Sequence, residues 1–119
     1  MIPSQILGSG AASLLVQSIV GTGATGLTAL GNNQATALQL PASNNLITAA
    51  AAATGFKLPK CEAGAEVWVR NDGGNAVTAY PFEAAGVTII GAASFAVGNT
   101  KTVCFKAITD TYWATLLSA

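Results

Sequence analysis

The side chains able to do chemistry are few. The acids are Glu62, Glu66, Asp72, Glu83 and Asp110, the thiols are Cys61 and Cys104, and there is no His. Without imidazole neither a Ser-His-Asp nor a Cys-His set can form. The commonest general base and metal ligand is also missing. Two carboxylates can in principle cleave a glycosidic bond, but nothing in the spacing of these five sets up such a pair. Asp72 and Asp110 fall among turn residues, where Asp bonds its own backbone. Glu62, Glu66 and Glu83 are expected to be solvated or paired with Lys57, Lys60 or Arg70. Gly73-Gly74 lacks the Lys-Ser/Thr ending of a phosphate loop. Asp72, between Asn71 and Asn75, offers too few oxygens for Ca²⁺. The cysteines are too few for a disulfide framework and too far apart for a paired metal motif. They are expected as buried free thiols, with one cross-strand disulfide as the alternative. The expectation is a non-enzyme with no catalytic, cofactor-binding or metal-binding residues.

Aromatic side chains are the other chemical resource. Trp68, Tyr80, Phe82, Phe95, Phe105, Tyr112 and Trp113 all lie in the second half. If Trp68, Tyr80 and Trp113 were exposed together, they could stack on sugar rings. Alternation favours burial instead, in a core or a subunit interface. Trp68 points away from Val67 and Val69, and Phe105 away from Cys104 and Lys106.

The elements that must hold these residues read as strands. Residues 65–70 alternate, and Asn71-Asp72-Gly73-Gly74-Asn75 is a dense turn signal of the kind hairpins use. Residues 76–80 are the return strand, stopped by Pro81. Further strands are expected at 87–90, 94–97, 101–107 and 112–116, with a turn at Asp110-Thr111. Upstream, residues 35–40 alternate as a half-buried strand, and 41–45 form a loop. Residues 21–26 read as a flexible link. The run of five alanines at 49–53 suits a helix by propensity. It is short, however, and Thr54-Gly55 breaks it, so a strand of small residues is preferred. Residues 1–20 read as an extended arm or a short helix, and 21–119 as one domain. Seven or eight short strands spaced about ten residues apart predict an all-β fold, an antiparallel β-sandwich or barrel of jelly-roll type. No solenoid period is visible.

Composition bounds the function class. The 119 residues are 51% hydrophobic and only 8% charged, and the charges cancel. A typical soluble domain carries about a quarter charged residues. No charged side chain precedes Lys57. Such a surface repels itself weakly and favours association; a secreted monomer with a Thr/Asn-rich surface is the plainer alternative. No basic excess exists to neutralise phosphates, so nucleic-acid binding is not expected. The most apolar stretch, residues 14–20, contains Gln17 and Ser18 and is too short to span a membrane. No Lys or Arg precedes it, so it lacks the positive region of a signal peptide.

Several motifs follow one another in a familiar order. Gly55-Phe56-Lys57-Leu58-Pro59 comes first, then a Val-x-Val-x-Asn-x-Gly strand and turn from Gly64 to Gly73, and a Val-x-x-Tyr-Pro return from Val77 to Pro81. A Gly-x-x-Ile-x-Gly strand follows within Gly86 to Gly91. A Val-x-Phe strand between Gly98 and Phe105 and a closing Tyr112-Trp113 complete the set. Gly23-Ala24-Thr25 and Gln34 to Leu38 look like its start. Over residues 17–117 this resembles small virion structural proteins of tailed bacteriophages. The resemblance implies a β-sandwich or barrel, commonly trimeric, that decorates capsids or builds tails and fibres. It brings no catalytic residues. The length and the lack of a repetitive shaft suit a capsid decoration (cement) protein on the head surface. Its partners would then be copies of itself and the major capsid protein. Residues 1–20 would suit an arm that pairs with a neighbour's sheet edge.

Overall fold

The computed structural model describes residues 22–83 and 86–117. The expected arm, residues 1–20, lies outside the described residues. Those described are all-β, without a helix, and their strands form two sheets. The first six strands alternate between the sheets. β1 (Gly23–Thr28), β3 (Asn44–Ala49) and β5 (Glu66–Asn71) lie side by side in a six-stranded sheet. β2 (Leu38–Gln39), β4 (Gly55–Lys57) and β6 (Val77–Tyr80) do the same in a four-stranded sheet. Within each set the neighbours run parallel. The chain therefore returns to the same sheet about every 18 to 24 residues, within the range of coil repeats.

The remaining strands close the two sheets. β7 (Thr88–Ile89), β9 (Lys101–Thr109) and β10 (Tyr112–Leu117) join the larger sheet, whose order is β1-β3-β5-β9-β10-β7. β8 (Phe95–Val97) ends the smaller one, ordered β2-β4-β6-β8. β9 runs antiparallel to both β5 and β10, and β8 antiparallel to β6. β7 runs parallel to β10.

This arrangement corrects several expectations. The sheets are mixed and solenoid-like, with five parallel pairings and three antiparallel, where an antiparallel jelly roll was expected. A coil period exists although none is visible in the sequence. The coils share no motif and their corners differ in length. The turn at 71–75 makes no hairpin: it is a corner that carries the chain from β5 in one sheet to β6 in the other. Residues 23–26, expected as a link, belong to β1. The alanine run forms no helix, but only Ala49 is in a strand. The following residues turn the corner, with Ala53 at φ 60°.

Corners need partners for backbone groups that no ladder satisfies. Asn71 supplies them at the β5–β6 corner. It is fully buried. Its Nδ2 donates to the carbonyls of Asn75 (2.8 Å), Val97 (3.2 Å) and Gly98 (3.3 Å), and its Oδ1 accepts from the Gly73 amide at 3.0 Å. One amide side chain thus ties the coil corner to the end of β8. From the same corner Asn75 Nδ2 reaches the β3–β4 corner one coil earlier and donates to the Ala50 carbonyl at 2.8 Å. Gly55, in β4, has no room for a side chain: a Cβ there would meet the Thr78 carbonyl and the Tyr80 ring.

The core lies between the sheets. Trp113, Phe56, Phe105, Ile47, Leu58 and Ile89 are its largest fully buried side chains. Phe105 of the larger sheet meets Phe56 and Phe95 of the smaller one edge-on, each with ring centroids 6.1 Å apart. Edge-to-face pairs add about 0.5–1.5 kcal/mol beyond area burial, so this trio is a specific clamp between the layers.

Candidate functional site

The outward face of the larger sheet gathers the residues that could meet a partner. Strand alternation turns Val67 and Val69 into the core and Trp68 outward. Register then sets Trp68 opposite Asn44 on one side and Cys104 on the other, and Cys104 opposite Leu116. Asn44, Trp68, Cys104 and Leu116 therefore form one row across four strands. Trp68 is 40% exposed and Leu116 70%, while Cys104 between them is 8% exposed. The Trp68 indole N–H donates to Glu66 Oε1 at 2.8 Å, which fixes the ring on the sheet.

Charges on this face are matched. Lys106 Nζ lies 3.6 Å from Glu66 Oε2, and Arg70 Nε 2.8 Å from Asp72 Oδ1. Arg70 also donates to Thr102 Oγ1 at 3.4 Å. Glu66, expected to be solvated or paired with Lys57, Lys60 or Arg70, is partly exposed and pairs with none of those three. The cross-strand neighbour of Glu66 is Lys106, and Arg70 turns to Asp72, just beyond the end of its own strand. Exposed pairs of this kind contribute little stability. Their effect is to leave the face without a net field that would attract a charged ligand. Beside Trp68, the small residues Gly23 and Ala24 leave a shallow depression of ≈ 470 Å³, bordered also by Asn44, Leu46 and Arg70.

The three aromatic residues that could have formed a sugar platform are not brought together. Trp113 is fully buried in β10. Tyr80 is on the other sheet, where its hydroxyl donates to the Asn32 carbonyl at 3.1 Å. Trp68 alone reaches solvent on the larger sheet's face.

A second cleft, of ≈ 410 Å³, is lined by Lys60, Cys61, Glu62, Ala63, Glu83 and Asp110. It places the Cys61 thiol in one cleft with three carboxylates. Burial pushes the Cys61 thiol above its ordinary pKa, a backbone hydrogen bond from Tyr112 opposes this, and Glu83 and Asp110 add to the rise. Cys61 Sγ donates to the Thr109 carbonyl at 3.2 Å. Such surroundings suppress the thiolate, the form that attacks. Cys104 is raised too, by burial first, then by Glu66 against the opposing Lys106. Both cysteines are free and buried.

Asp110 serves structure here, accepting from the Ala63 amide at 2.9 Å. Asn71, Asp72 and Asn75 do not converge on a cation: Asn71 faces inward, Asp72 holds Arg70 and Asn75 holds the Ala50 carbonyl. Among the described residues no group of three or more His, Cys, Asp or Glu could hold a metal ion. No helix among them is long and apolar enough to cross a membrane. Compared with family models, with curated proteins and with solved structures, the chain matches none of them.

Proposed function

We propose that this protein is a non-enzymatic structural component that assembles with copies of itself on a larger particle. The setting that the motif order implies is a tailed-bacteriophage virion, with the protein as a trimeric capsid decoration protein. The observation that carries the reading is the row of Trp68, Cys104 and Leu116 on the outward face of the larger sheet, among ion pairs that cancel. A large aromatic anchor beside small apolar residues, with charge neutralised around it, is what the centre of a protein interface contains. Association through such a face draws on apolar burial at about 25 cal/mol per Å². On a shell, the same contacts would bridge neighbouring capsomers and stabilise the head.

The test is solution mass by light scattering behind a sizing column, for the wild type and for Trp68→Glu. A trimer that falls to monomer in the variant, with unchanged circular dichroism, supports the reading. A wild-type monomer across micromolar to millimolar concentration sinks it. A trimer is then mixed with undecorated capsids, and antibody labelling in electron microscopy separates head from tail. Location on a tail or fibre is the second placement of the same structural role.

A further inference from the structure

The row of outward residues on the larger sheet extends past Asn44. Register sets Gly23 of β1 opposite Asn44, so Gly23, Asn44, Trp68, Cys104 and Leu116 lie at one level across five strands. Trp68 is at the middle. Two strands to one side stands Leu116, 70% exposed, the most exposed large apolar side chain among the described residues. Two strands to the other side lies Gly23, within the ≈ 470 Å³ depression beside Trp68. The face thus carries a knob and a hole at equal steps from its centre, about 10 Å each way at the usual strand spacing.

The chain's own packing gives no reason for glycine at the hole. Gly23 is not among the residues with positive φ, and no atom of the described residues lies within 4 Å of where its Cβ would be. Glycine weakens a strand, and it often marks a place that another molecule or backbone approaches closely. The depression is large enough for a leucine side chain, and Asn44 and Leu46 on its border are uncharged. Arg70, the charged residue on its rim, is already held by Asp72 at 2.8 Å. On the knob side β10 turns Ala114 and Leu116 outward, so seating one on the other buries no lone charge.

We infer that Leu116 of one copy seats in the Gly23 depression of the next, head to tail around a closed ring. The inference rests on the self-assembly proposed above and names the contact that makes it. Knob and hole share one level, so copies related by an axis along the strands meet there without a shift. A knob and a hole on opposite sides of one face make a heterologous contact, the kind that closes into rings. A two-fold axis along β5 would make the same contact, but it would lay Glu66 on Glu66 and Arg70 on Arg70 of the two copies, and such like-charge juxtaposition is costly. In a ring of three the faces are inclined. Their edges come close, and the middles on β5 stand further apart.

The experiment is disulfide trapping in the full-length chain carrying Gly23→Cys and Leu116→Cys together. Cys104→Ala is added because Cys104 is opposite Leu116 and would capture the new thiol. Within one chain the two sites are four strands apart, about 19 Å, beyond the reach of a disulfide, so any link joins two copies. Copper–phenanthroline in air is the oxidant, and products are read on a non-reducing gel. A covalent trimer is the expected end product, with either single variant linking to itself about tenfold more slowly or less. A dimeric end product means a two-fold pair and overturns the ring. A ladder running past three copies overturns its closure, and self-linking of Leu116→Cys at the full rate overturns the contact. Gly23→Leu guards against cysteine variants that do not fold: it fills the depression and should turn trimer into monomer with unchanged circular dichroism. If the wild type is a trimer while the double variant stays unlinked, or while Gly23→Leu remains trimeric, the contact is overturned and self-assembly stands. A monomeric wild type removes both.

Discussion

The coiled part of the molecule, β1 to β6, and the closing part, β7 to β10, solve one problem differently. In the closing part, β9 and β10 are consecutive and antiparallel, and a turn at Asp110-Thr111 joins them. Their ladder pairs the strands directly, and the turn is helped by side chains close at hand: Thr109 Oγ1 accepts from the Thr111 amide and the Thr109 carbonyl accepts from Cys61 Sγ, each at 3.2 Å. In the coiled part, consecutive strands are in opposite sheets, so each connection is a corner that must find partners elsewhere. Uncharged amides supply them: Gln39 bonds the Leu58 carbonyl, Asn45 that of Ala42, Asn75 that of Ala50, and Asn71 those of Asn75, Val97 and Gly98. The lesson concerns composition. Part of the sparse charge and abundant amide of this sequence serves internal corners, and only the remainder bears on association.

Removing the largest corner amide breaks that comparison most sharply. Asn71→Ala leaves three carbonyls and the Gly73 amide without their partner, and is expected to cost about 3 kcal/mol or more. Thr111→Ala, in the β9–β10 turn, should cost less than about 1 kcal/mol. Urea unfolding of the two variants measures the contrast, and equal losses would show that the corners are no more dependent on side chains than the hairpin.

A change in the opposite direction sharpens it. Ile90 and Gly91 both take positive φ, 45° and 82°, in the tight turn that brings Ala92 back to Ile89. That turn favours Asn-Gly, and a β-branched residue there is strained. Ile90 is also 48% exposed, so little packing is lost on replacing it. Ile90→Asn is expected to stabilise by about 1 kcal/mol, read as a higher urea midpoint with an unchanged slope.

The smallest effect is pH dependence, because each part holds one buried thiol. Burial raises both thiol pKa values above the ordinary 9.0. As pH rises past that value, the unfolded chain loses these protons before the folded one does. The folded state then binds more protons, and stability declines with pH. Below the ordinary value the thiols contribute no slope. Urea midpoints should therefore fall from pH 8 to pH 10, and fall less in Cys61→Ala/Cys104→Ala.

How far the sequence could be read follows from what alternation encodes. It gave the face of each residue on β5 and β9, the stop at Pro81 and the turn at Asp110-Thr111, because side-chain period and turn chemistry are local. It could not give pairing direction: a parallel and an antiparallel neighbour can demand the same inward face. The coil repeat was hidden further, since β2 and β4 have two and three residues, too few for a pattern. For the candidate surface, alternation set Trp68 on the face opposite Val67 and Val69, but burial in a core or an interface was expected for it, and in the single chain it is 40% exposed. Its alignment with Cys104 and Leu116 was not legible, because that depends on register across three strands.

The two indoles are placed so that a single spectrum carries two messages. Trp113 is sealed between the layers and Trp68 lies on the outer face. Shielded indole emits at shorter wavelength and escapes a soluble quencher, while the surface ring emits further to the red and is quenched readily. Acrylamide titration should thus resolve two populations without any label. Loss of the shielded one marks unfolding, and a blue shift confined to the quenchable one marks a partner settling on the sheet.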